Sequence, residues 1–289
     1  MNKYIMIILK LRDSIVAHDN EYFKNTKNII FDRGVVNDGD IIVYTNRNFN
    51  EYYSNAKLNI ALLMESIELD NKYYEYIKNN YRKYDIIFTW SKKLLDLNYN
   101  NIKLNLCGTT WLHENYIQIY NKSKLCSIIV SEKCYLTGHK LRHAIVDNII
   151  NNKLNVNLFG NRFKNLPYSN GANPKTLTNG KIIALKDYMF SITIENCKED
   201  YEFTEKLIDC FLSGTVPIYW GCPSIHKFFN IKGIITFNTL TECIDIINNI
   251  SEETYKIMLP YIEENFEIAK KYCNFSVDEN EIIKLINNI

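Results

Sequence analysis

Short, nearly continuous apolar runs alternate along the chain with longer segments in which apolar residues recur at helical spacing. Runs such as SIIV at 127–130 and VPIY at 216–219 contain many β-branched residues and few polar ones. This pattern is typical of parallel strands that are covered on both faces. The alternation therefore predicts an α/β protein in which right-handed crossovers connect parallel strands.

The predicted elements suggest two domains. Helical and strand patterns both lapse at about 112–125, so we expect two Rossmann-like domains, 1–120 and 121–289, the second of which ends in C-terminal helices. Two such domains that face a central cleft would bind a ligand between the carboxyl ends of their strands. The predicted strands are Tyr4–Leu9, Ile41–Tyr44, Leu58–Met64, Ile86–Thr89, Ser127–Val130, Asn155–Phe159, Phe190–Ile194, Val216–Tyr219 and Ile234–Phe237. The predicted helices are Glu21–Ile29, Lys72–Lys83, Leu141–Ile150, Glu205–Leu212 and Leu240–Asn249, with amphipathic segments at 252–271 and 277–288.

The composition excludes some classes of function. The formal net charge is +1, which gives no electrostatic case for nucleic acid as a partner. The first apolar run is broken by Lys10 and Arg12 and lacks a cleavage site. No window holds ~18 uncharged apolar residues, so we expect neither a signal peptide nor a transmembrane helix, and a cytoplasmic location.

The cysteines are expected to be free thiols. None of the 8 cysteines forms a C-x-x-C pair. Cys126, Cys210 and Cys243 lie within apolar runs, so burial as reduced thiols is the expectation for a reducing compartment.

The segment around residues 190–206 combines a strand pattern, a charged loop and a helix start. FSITI alternates as a strand and delivers Glu195 and Asn196 to its carboxyl end, where ligand sites of α/β proteins form. Thr204 is the expected N-cap, which places Glu205 and Lys206 in the first helical turn. A helix N-terminus with a lysine favours a phosphate, and Glu205 could accept hydrogen bonds from sugar hydroxyls. The alternative is that Glu205 only stabilises the helix dipole and that Lys206 is a solvated surface residue.

The longer stretch ENCKEDYEFTEKLIDCFLSGTVPIYWGCPSI resembles the signature of family 10 glycosyltransferases, the α-1,3/1,4-fucosyltransferases. The family pattern is approximately F-E-N-S, a short loop, D-Y-[IV]-T-E-K, an apolar helix, V-P-[IV] and G-x-P. Upstream, Arg142 in a predicted helix and Gly160 in NLFGNR also fit, and the resemblance covers about residues 125–250. The matching positions, in order, are Glu195-Asn196, Thr204-Glu205-Lys206, Val216-Pro217-Ile218 and Gly221-x-Pro223.

The resemblance implies a glycosyltransferase-B fold and an inverting transfer of fucose from GDP-fucose to an acceptor glycan or glycoside. It implies that Arg142 and Lys206 pair with the diphosphate, that Glu205 holds the ribose hydroxyls, and that Asn196 lines the same pocket, with Glu195 beside it. The leaving nucleoside diphosphate would be stabilised by these cations and by helix N-termini, so we expect no metal or other cofactor.

Four residues of the signature depart from the family pattern, and two of them are Ile194, where the family has Phe, and Phe203, where it has Ile or Val. The family has Tyr before [IV]-T-E-K, whereas this chain has Glu202 there, with Tyr201 one residue earlier. Tyr201 could serve as the donor contact in its place, or that contact could be lost. Cys197 stands where the family has Ser. Two alternatives therefore stay open: a similar glycosyltransferase that uses another nucleotide-sugar, and a non-catalytic protein that binds a nucleotide-sugar or a glycan.

The catalytic base is expected in the N-terminal half. Inverting transfer needs a base to deprotonate the acceptor hydroxyl, and a carboxylate is the usual choice. The resemblance implies a glutamate just after an N-terminal strand, and Glu65 in LNIALLMES fits, with Glu68 as the backup. The alternative is that Glu65 is a solvated residue at a strand end.

Two patterns in the sequence could suggest a metal site, but both are expected to have structural roles. His139 and His143 are four positions apart on a predicted helix, but no third ligand is evident. The DGD triplet at 38–40 contains a glycine and precedes a strand, so a turn is expected there.

Overall fold

Two parallel β-sheets, each flanked by helices, form the framework of the protein. The computed structural model describes residues 6–13, 28–106, 108–166, 180–273 and 277–288. The strands are β1 (Ile7–Arg12), β2 (Ile29–Asp32), β3 (Ile41–Thr45), β4 (Leu58–Leu62), β5 (Ile86–Thr89), β6 (Ile102–Leu104), β7 (Lys124–Ile129), β8 (Asn157–Phe159), β9 (Tyr188–Ile194), β10 (Val216–Trp220) and β11 (Ile235–Thr236). The α-helices are α1 (Ile67–Asn80), α2 (Lys92–Leu95), α3 (Thr137–Asn152), α4 (Gly180–Ile183), α5 (Glu205–Leu212), α6 (Leu240–Asn249), α7 (Glu252–Ala269) and α8 (Glu279–Asn287). None of the helices in these ranges is long and apolar enough to cross a membrane.

The first compact unit comprises residues 1–107 and 274–289. Its sheet has the order β2-β1-β3-β4-β5-β6, and every pairing is parallel. Strands β3, β4 and β5 are buried at every position, which explains why their sequences are nearly continuous apolar runs. Ile282 of α8 and the preceding Val277 join the same apolar core as Leu9 and Phe88.

The division into units differs from the expected domain boundary. We expected a break at 120/121 and C-terminal helices within the second domain, whereas the units meet at 107/108 and α8 belongs to the first unit. The reason is the amphipathic face of α8. Its Ile282 is fully buried in the first unit's core, and Leu285 and Ile286 pack against that core.

The second compact unit comprises residues 108–273. Its five parallel strands have the order β11-β10-β9-β7-β8. The chain runs from β7 outward to β8 and then returns to β9 on the other side of β7, so the order reverses between β7 and β9. Ligands of open parallel α/β sheets bind outside the carboxyl ends of the strands at such a reversal.

The strand pattern in the sequence is confirmed for the centre of both sheets and for the edge strands β8 and β11 of the second unit, and it fails at the edge strands β2 and β6 of the first unit. The predicted α/β class and the parallel pairing are confirmed. The predicted helix Glu21–Ile29 lies outside the described residues up to 27, and Ile29 begins strand β2 instead. The first strand ends at Arg12, three residues later than expected, and the predicted positions Tyr4 and Ile5 lie outside the described residues. The edge strand β6, only three residues long, was not predicted.

The cysteine prediction is confirmed for the three residues it named. Cys126, Cys210 and Cys243 are free and buried. Burial raises the pKa of the Cys210 thiol to about 11 and that of Cys243 to about 12, so both side chains behave as small apolar groups.

Candidate functional site

The candidate site lies in the second unit, where the order of its strands reverses. Strand β9 ends at Ile194 and is followed by Glu195 and Asn196, while α3 follows β7. The amide of Gly138 in the first turn of α3 donates a hydrogen bond to the Asn196 carbonyl at 2.9 Å. The N-terminus of α3 and the carboxyl end of β9 are therefore in direct contact at the strand reversal, where ligands of open α/β sheets bind.

Gly138 permits this close contact because it has no side chain. A Cβ atom built at Gly138 would lie 1.8 Å from the carbonyl oxygen of Glu195 and 2.8 Å from that of Asn196. Backbone atoms cannot yield as a flexible side chain can, so the helix start and the strand end would have to move apart.

Replacing Gly138 with alanine is therefore expected to destabilise the fold by about 1–3 kcal/mol, the cost of overpacking. The sign is diagnostic, because a glycine-to-alanine change inside a helix normally stabilises by about 1 kcal/mol. Urea unfolding of the two proteins measures the difference. Lys140→Ala, at an exposed position of the same helix, is the control and should change the free energy of unfolding by no more than about 0.5 kcal/mol. Equal stability of Gly138→Ala and the unchanged protein would contradict the packing described here.

Arg142 lies on α3, three residues after His139. It is buried, and its side chain is hydrogen-bonded to the end of β9. Its Nε and Nη2 donate to the Ile194 carbonyl at 3.0 and 2.5 Å, and Nη2 also donates to Asn196 Oδ1 at 3.1 Å. Only 7% of Arg142 is exposed. The guanidinium group is thus fixed by the strand end, and it holds the Asn196 side chain in turn.

The start of α5 supplies the second cation. Thr204 is the N-cap as predicted, and its Oγ1 accepts a hydrogen bond from the Lys206 amide. The ammonium group of Lys206 lies 3.1 Å from Glu205 Oε1 and 3.4 Å from Glu195 Oε2, and it donates to Thr204 Oγ1 at 2.9 Å. Lys206 is partly exposed, whereas both carboxylates are buried.

Glu205 is ionised in this environment. Burial raises the pKa of its carboxyl group, but the ammonium groups of Lys206 and Lys181 and hydrogen bonds from Lys206 and Thr204 outweigh that effect and lower the pKa to about 2. An ionised carboxylate only accepts hydrogen bonds, so it can bind ligand hydroxyl groups but not ligand carbonyls.

Glu195 holds the site together from within the protein. Its side chain is fully buried, Oε1 accepts from the Thr204 amide at 2.9 Å, and Oε2 accepts from Thr204 Oγ1 at 2.6 Å. Gly221 after β10 packs so closely that a Cβ there would lie 2.6 Å from Glu195 Cγ. These contacts fix the start of α5, with Thr204 and Lys206, relative to the end of β9.

Tyr201 lies on the loop between β9 and α5 and has a left-handed backbone, with φ of 66°. Its amide donates to Ser224 Oγ at 3.1 Å, and its ring packs edge-on against Phe228. Lys227 lies over the ring at 5.2 Å from its centroid and donates to the hydroxyl at 3.4 Å. These contacts join Tyr201 to the segment after β10, and the structure shows none between its side chain and Arg142 or Lys206.

A buried ion pair that the sequence pattern did not reveal lies beneath α5. Lys181 Nζ is 2.6 Å from Asp209 Oδ2 and donates to the Glu205 carbonyl at 3.2 Å. Asp209 Oδ1 also accepts from Thr110 Oγ1 at 2.5 Å and from the Trp111 amide at 3.1 Å. Lys181 thus fixes the backbone of Glu205 through this hydrogen bond, and its charge helps to keep the Glu205 carboxyl group ionised. No local signal marks this pair, because its two members come from α4 and α5 and the residues that donate to Asp209 come from the segment at 110–111.

The two histidines of α3 have separate partners. Burial, with the nearby cations Arg142 and Lys133, lowers the pKa of His139 to about 4, so its imidazole is neutral at neutral pH. His143 Nε2 lies 3.1 Å from the carbonyls of Ser131 and Lys133, and Nδ1 lies 2.9 Å from Arg162 Nη1. Across the described ranges, no three His, Cys, Asp or Glu side chains group to hold a metal ion.

The first unit holds the expected base, Glu65, just after β4. Glu65 is half-buried, and its carbonyl accepts a hydrogen bond from the Tyr74 hydroxyl at 2.6 Å. Glu68 is exposed on the first turn of α1. The structure adds Asp70, which is 5% exposed at a non-helical position within α1. Burial raises the pKa of Asp70, although Arg47, Lys72 and Asn46 act in the opposite direction.

Sequence comparison places the second unit among known enzymes. The family model described as glycosyltransferase family 10 (fucosyltransferase), C-terminal, matches residues 119–262. Over 66 residues the chain is 42% identical to the α-(1,3)-fucosyltransferase FucT of Helicobacter pylori, which is 22% of this chain and 14% of that protein. The chain thus matches about one seventh of the length of that relative.

Comparison with solved structures shows that the chain has the fold of known glycosyltransferases. Crystal structures of an α1,3-fucosyltransferase with GDP and with GDP-fucose superpose with TM-scores of 0.58 and 0.54 at 17% identity. The first match covers 99% of this chain and 91% of that chain, and the second covers 94% and 91%. An α-glucosyltransferase in complex with UDP and a DNA 13-mer superposes with a TM-score of 0.55 at 12% identity, over 98% of this chain and 100% of that chain. The expected glycosyltransferase-B fold is confirmed by these matches.

Proposed function

We propose that this protein transfers fucose from GDP-fucose to a hydroxyl group of an acceptor glycan or glycoside, a proposal supported by the match of residues 119–262 to the family model of glycosyltransferase family 10, the fucosyltransferases. We also propose that the transfer inverts the anomeric configuration and needs no divalent cation. The observation that carries the proposal is the meeting of Arg142, Asn196, Glu205 and Lys206 at the strand reversal of the second unit. A diphosphate needs cations, ribose needs a hydrogen-bond acceptor, and this cluster offers both.

In the proposed reaction, two cations, Lys206 and Arg142, would neutralise the negative charge of the donor diphosphate. Lys206 would bind the diphosphate as a compact point charge, and Arg142 would contribute the rest of the positive field from its fixed position. When the bond between the anomeric carbon and the phosphate oxygen breaks, GDP leaves with the electron pair. Cations that are already positioned stabilise this developing charge without reorganising.

Glu205 and Asn196 would orient the nucleotide. The ionised Glu205 carboxylate would accept hydrogen bonds from the ribose hydroxyls, while Asn196, held by Arg142, would bond another polar group of the donor. Tyr201 remains a candidate donor contact on the adjacent loop. In the first unit, Glu65 is the proposed base, which takes the proton from the acceptor hydroxyl as its oxygen bonds to the anomeric carbon.

A second candidate donor is another nucleotide-sugar. Cys197 and Glu202 stand at positions where the family pattern has Ser and Tyr, and both lie on the loop between the two halves of the donor cluster. The same fold also occurs in an α-glucosyltransferase structure that contains UDP. A non-catalytic binding protein remains the third possibility, and it would bind a donor without transferring the sugar.

Isothermal titration separates these candidates. We expect GDP-fucose to bind, and to bind at least about tenfold more tightly than GDP-mannose or UDP-glucose, which corresponds to about 1.4 kcal/mol. Binding of UDP-glucose alone would overturn the fucosyl assignment and favour the second candidate. Binding of GDP-fucose without release of GDP, across a panel of glycoside acceptors, would favour the non-catalytic candidate.

A further inference from the structure

The loop at 196–203, between β9 and α5, is closed by two contacts across its neck. We call it the donor loop. Glu195, just before it, bonds both the amide and the hydroxyl of Thr204, just after it. Inside the loop, Cys197 Sγ lies 2.7 Å from Glu202 Oε2. Two contacts therefore close the donor loop. The outer one, between the Glu195 carboxylate and Thr204, we call the outer rung. The inner one, between the Cys197 thiol and the Glu202 carboxyl group, we call the inner rung.

The inner rung is formed by Cys197 and Glu202, two of the residues that depart from the family pattern. Cys197 is 1% exposed and Glu202 is 5% exposed, so both side chains are enclosed by protein. A buried carboxyl group is costly unless it is hydrogen-bonded or uncharged. Because the thiol and the carboxyl group are in contact, the two departures form one local unit rather than two separate losses.

Other charged groups decide the protonation state of Glu202. Burial raises the pKa of its carboxyl group to about 8, with Glu195 and Glu199 adding to that effect and Cys197 and Lys206 opposing it. Tyr219 of β10 is buried, and the charge of the Glu202 carboxylate contributes to raising the pKa of its hydroxyl group. The titratable groups that act on Glu202 include Glu195, Cys197, Glu199, Lys206 and Tyr219. Only one of them, Lys206, is a cation, and it already faces Glu195 and Glu205.

We propose that Glu202 is a positioning residue of the donor site that acts as an uncharged acid: bonded to Cys197, it keeps the donor loop in the shape that presents Asn196 and Lys206, and donor affinity falls when it loses its proton. The inference rests on the proposed function, since it takes the ligand to be a nucleoside diphosphate sugar. An ionised Glu202 would be a third carboxylate near Lys206. It would compete with the diphosphate for that ammonium group.

The sign of the effect follows from linkage. A dianionic ligand beside Glu202 favours the protonated carboxyl group, so binding is coupled to proton retention. Below the pKa of Glu202 the affinity is constant. Above it, each further pH unit costs up to about tenfold in affinity, because a proton must be taken up for the donor to bind.

The decisive experiment is titration with GDP-fucose from about pH 7 to about pH 9. We expect the affinity of the unchanged protein to fall by roughly tenfold across this range, and that of Glu202→Gln to vary by less than about twofold. Cys197→Ser, which keeps a hydrogen-bond donor on the inner rung, should retain the pH dependence. Glu199→Gln is the matched control on the same loop and should also retain it. A Glu202→Gln profile as steep as that of the unchanged protein would overturn the proposal.

A measurement without ligand separates this inference from the proposed function. Carboxyl carbon NMR of protein labelled at glutamate should show one resonance that titrates near pH 8 and is missing from Glu202→Gln. If that resonance is present but no nucleotide-sugar binds, the proposed function fails and the uncharged acid stands as a property of the loop. If GDP-fucose binds but all glutamate resonances titrate below about pH 6, the inference fails and the proposed function stands.

Discussion

Lys206→Ala is expected to weaken the binding of GDP-fucose by about a hundredfold. Hydrogen bonds to charged groups contribute roughly 1.5–3 kcal/mol each, and Lys206 would lose both such a bond to the diphosphate and its charge. The change also removes the cation that lies within 3.4 Å of Glu195 and 3.1 Å of Glu205. Two buried carboxylates would then repel the diphosphate. The dissociation constant from isothermal titration measures the combined effect.

A matched surface lysine controls for the loss of charge alone. Lys256 on α7 is exposed and pairs with Glu252 one turn earlier, so Lys256→Ala changes the net charge equally. Its effect on donor affinity should be within about twofold, because exposed charges at a distance are screened by salt. Urea unfolding must accompany both variants, since Lys206→Ala also removes a partner of a buried carboxylate. Equal donor affinities for the two variants would remove Lys206 from the donor site.

Local sequence pattern was sufficient for the central strands. Strands β3, β4, β5, β9 and β10 are buried on both faces, so every position had to be apolar or small and the runs were visible. The edge strands β2 and β6 are short and partly exposed, which leaves them without a distinct period. Tertiary packing decides those segments, and local pattern cannot report it.

The candidate site likewise has residues that local sequence pattern predicted and contacts that it could not predict. Thr204, Glu205 and Lys206 follow one another in the chain, so capping rules placed them correctly at the start of α5. The contact of Arg142 with Ile194 joins residues 52 apart, and the bond of Thr110 to Asp209 joins residues 99 apart. The family resemblance placed Arg142 and Asn196 in one pocket, but it did not predict the bond of Arg142 to Ile194. Nothing in the spacing supplied the second contact, because a buried hydrogen bond between residues so far apart in the chain has no local period.

Glu195 shows how a residue can be predicted in the right place with an incomplete role. It was expected beside the donor, and it does lie at the carboxyl end of β9. Both of its oxygens are bonded to Thr204, however, so what it fixes is the start of α5. The sequence could locate the carboxylate, but only the fold shows that the Thr204 hydroxyl and amide face it.

Glu65→Gln is expected to lower the rate of fucose transfer by about 10²–10⁴-fold while leaving the dissociation constant of GDP-fucose within about twofold. Glutamine keeps the size and polarity of the side chain but cannot take a proton from the acceptor hydroxyl. The loss should therefore appear in kcat, with the donor site of the second unit intact. The assay is GDP release with an acceptor found by screening glycosides, and donor affinity comes from isothermal titration.

Two neighbouring carboxylates make the assignment of Glu65 falsifiable. Glu68→Gln changes an exposed residue of the next helix and should keep most of the activity, whereas a loss confined to this variant would move the base to Glu68. Asp70→Asn tests the buried carboxyl group, whose pKa burial has raised as a general base requires. If Asp70→Asn abolishes transfer and Glu65→Gln does not, the base is Asp70 and the strand-end glutamate is a solvated residue. Full activity in all three variants would place the base outside this segment.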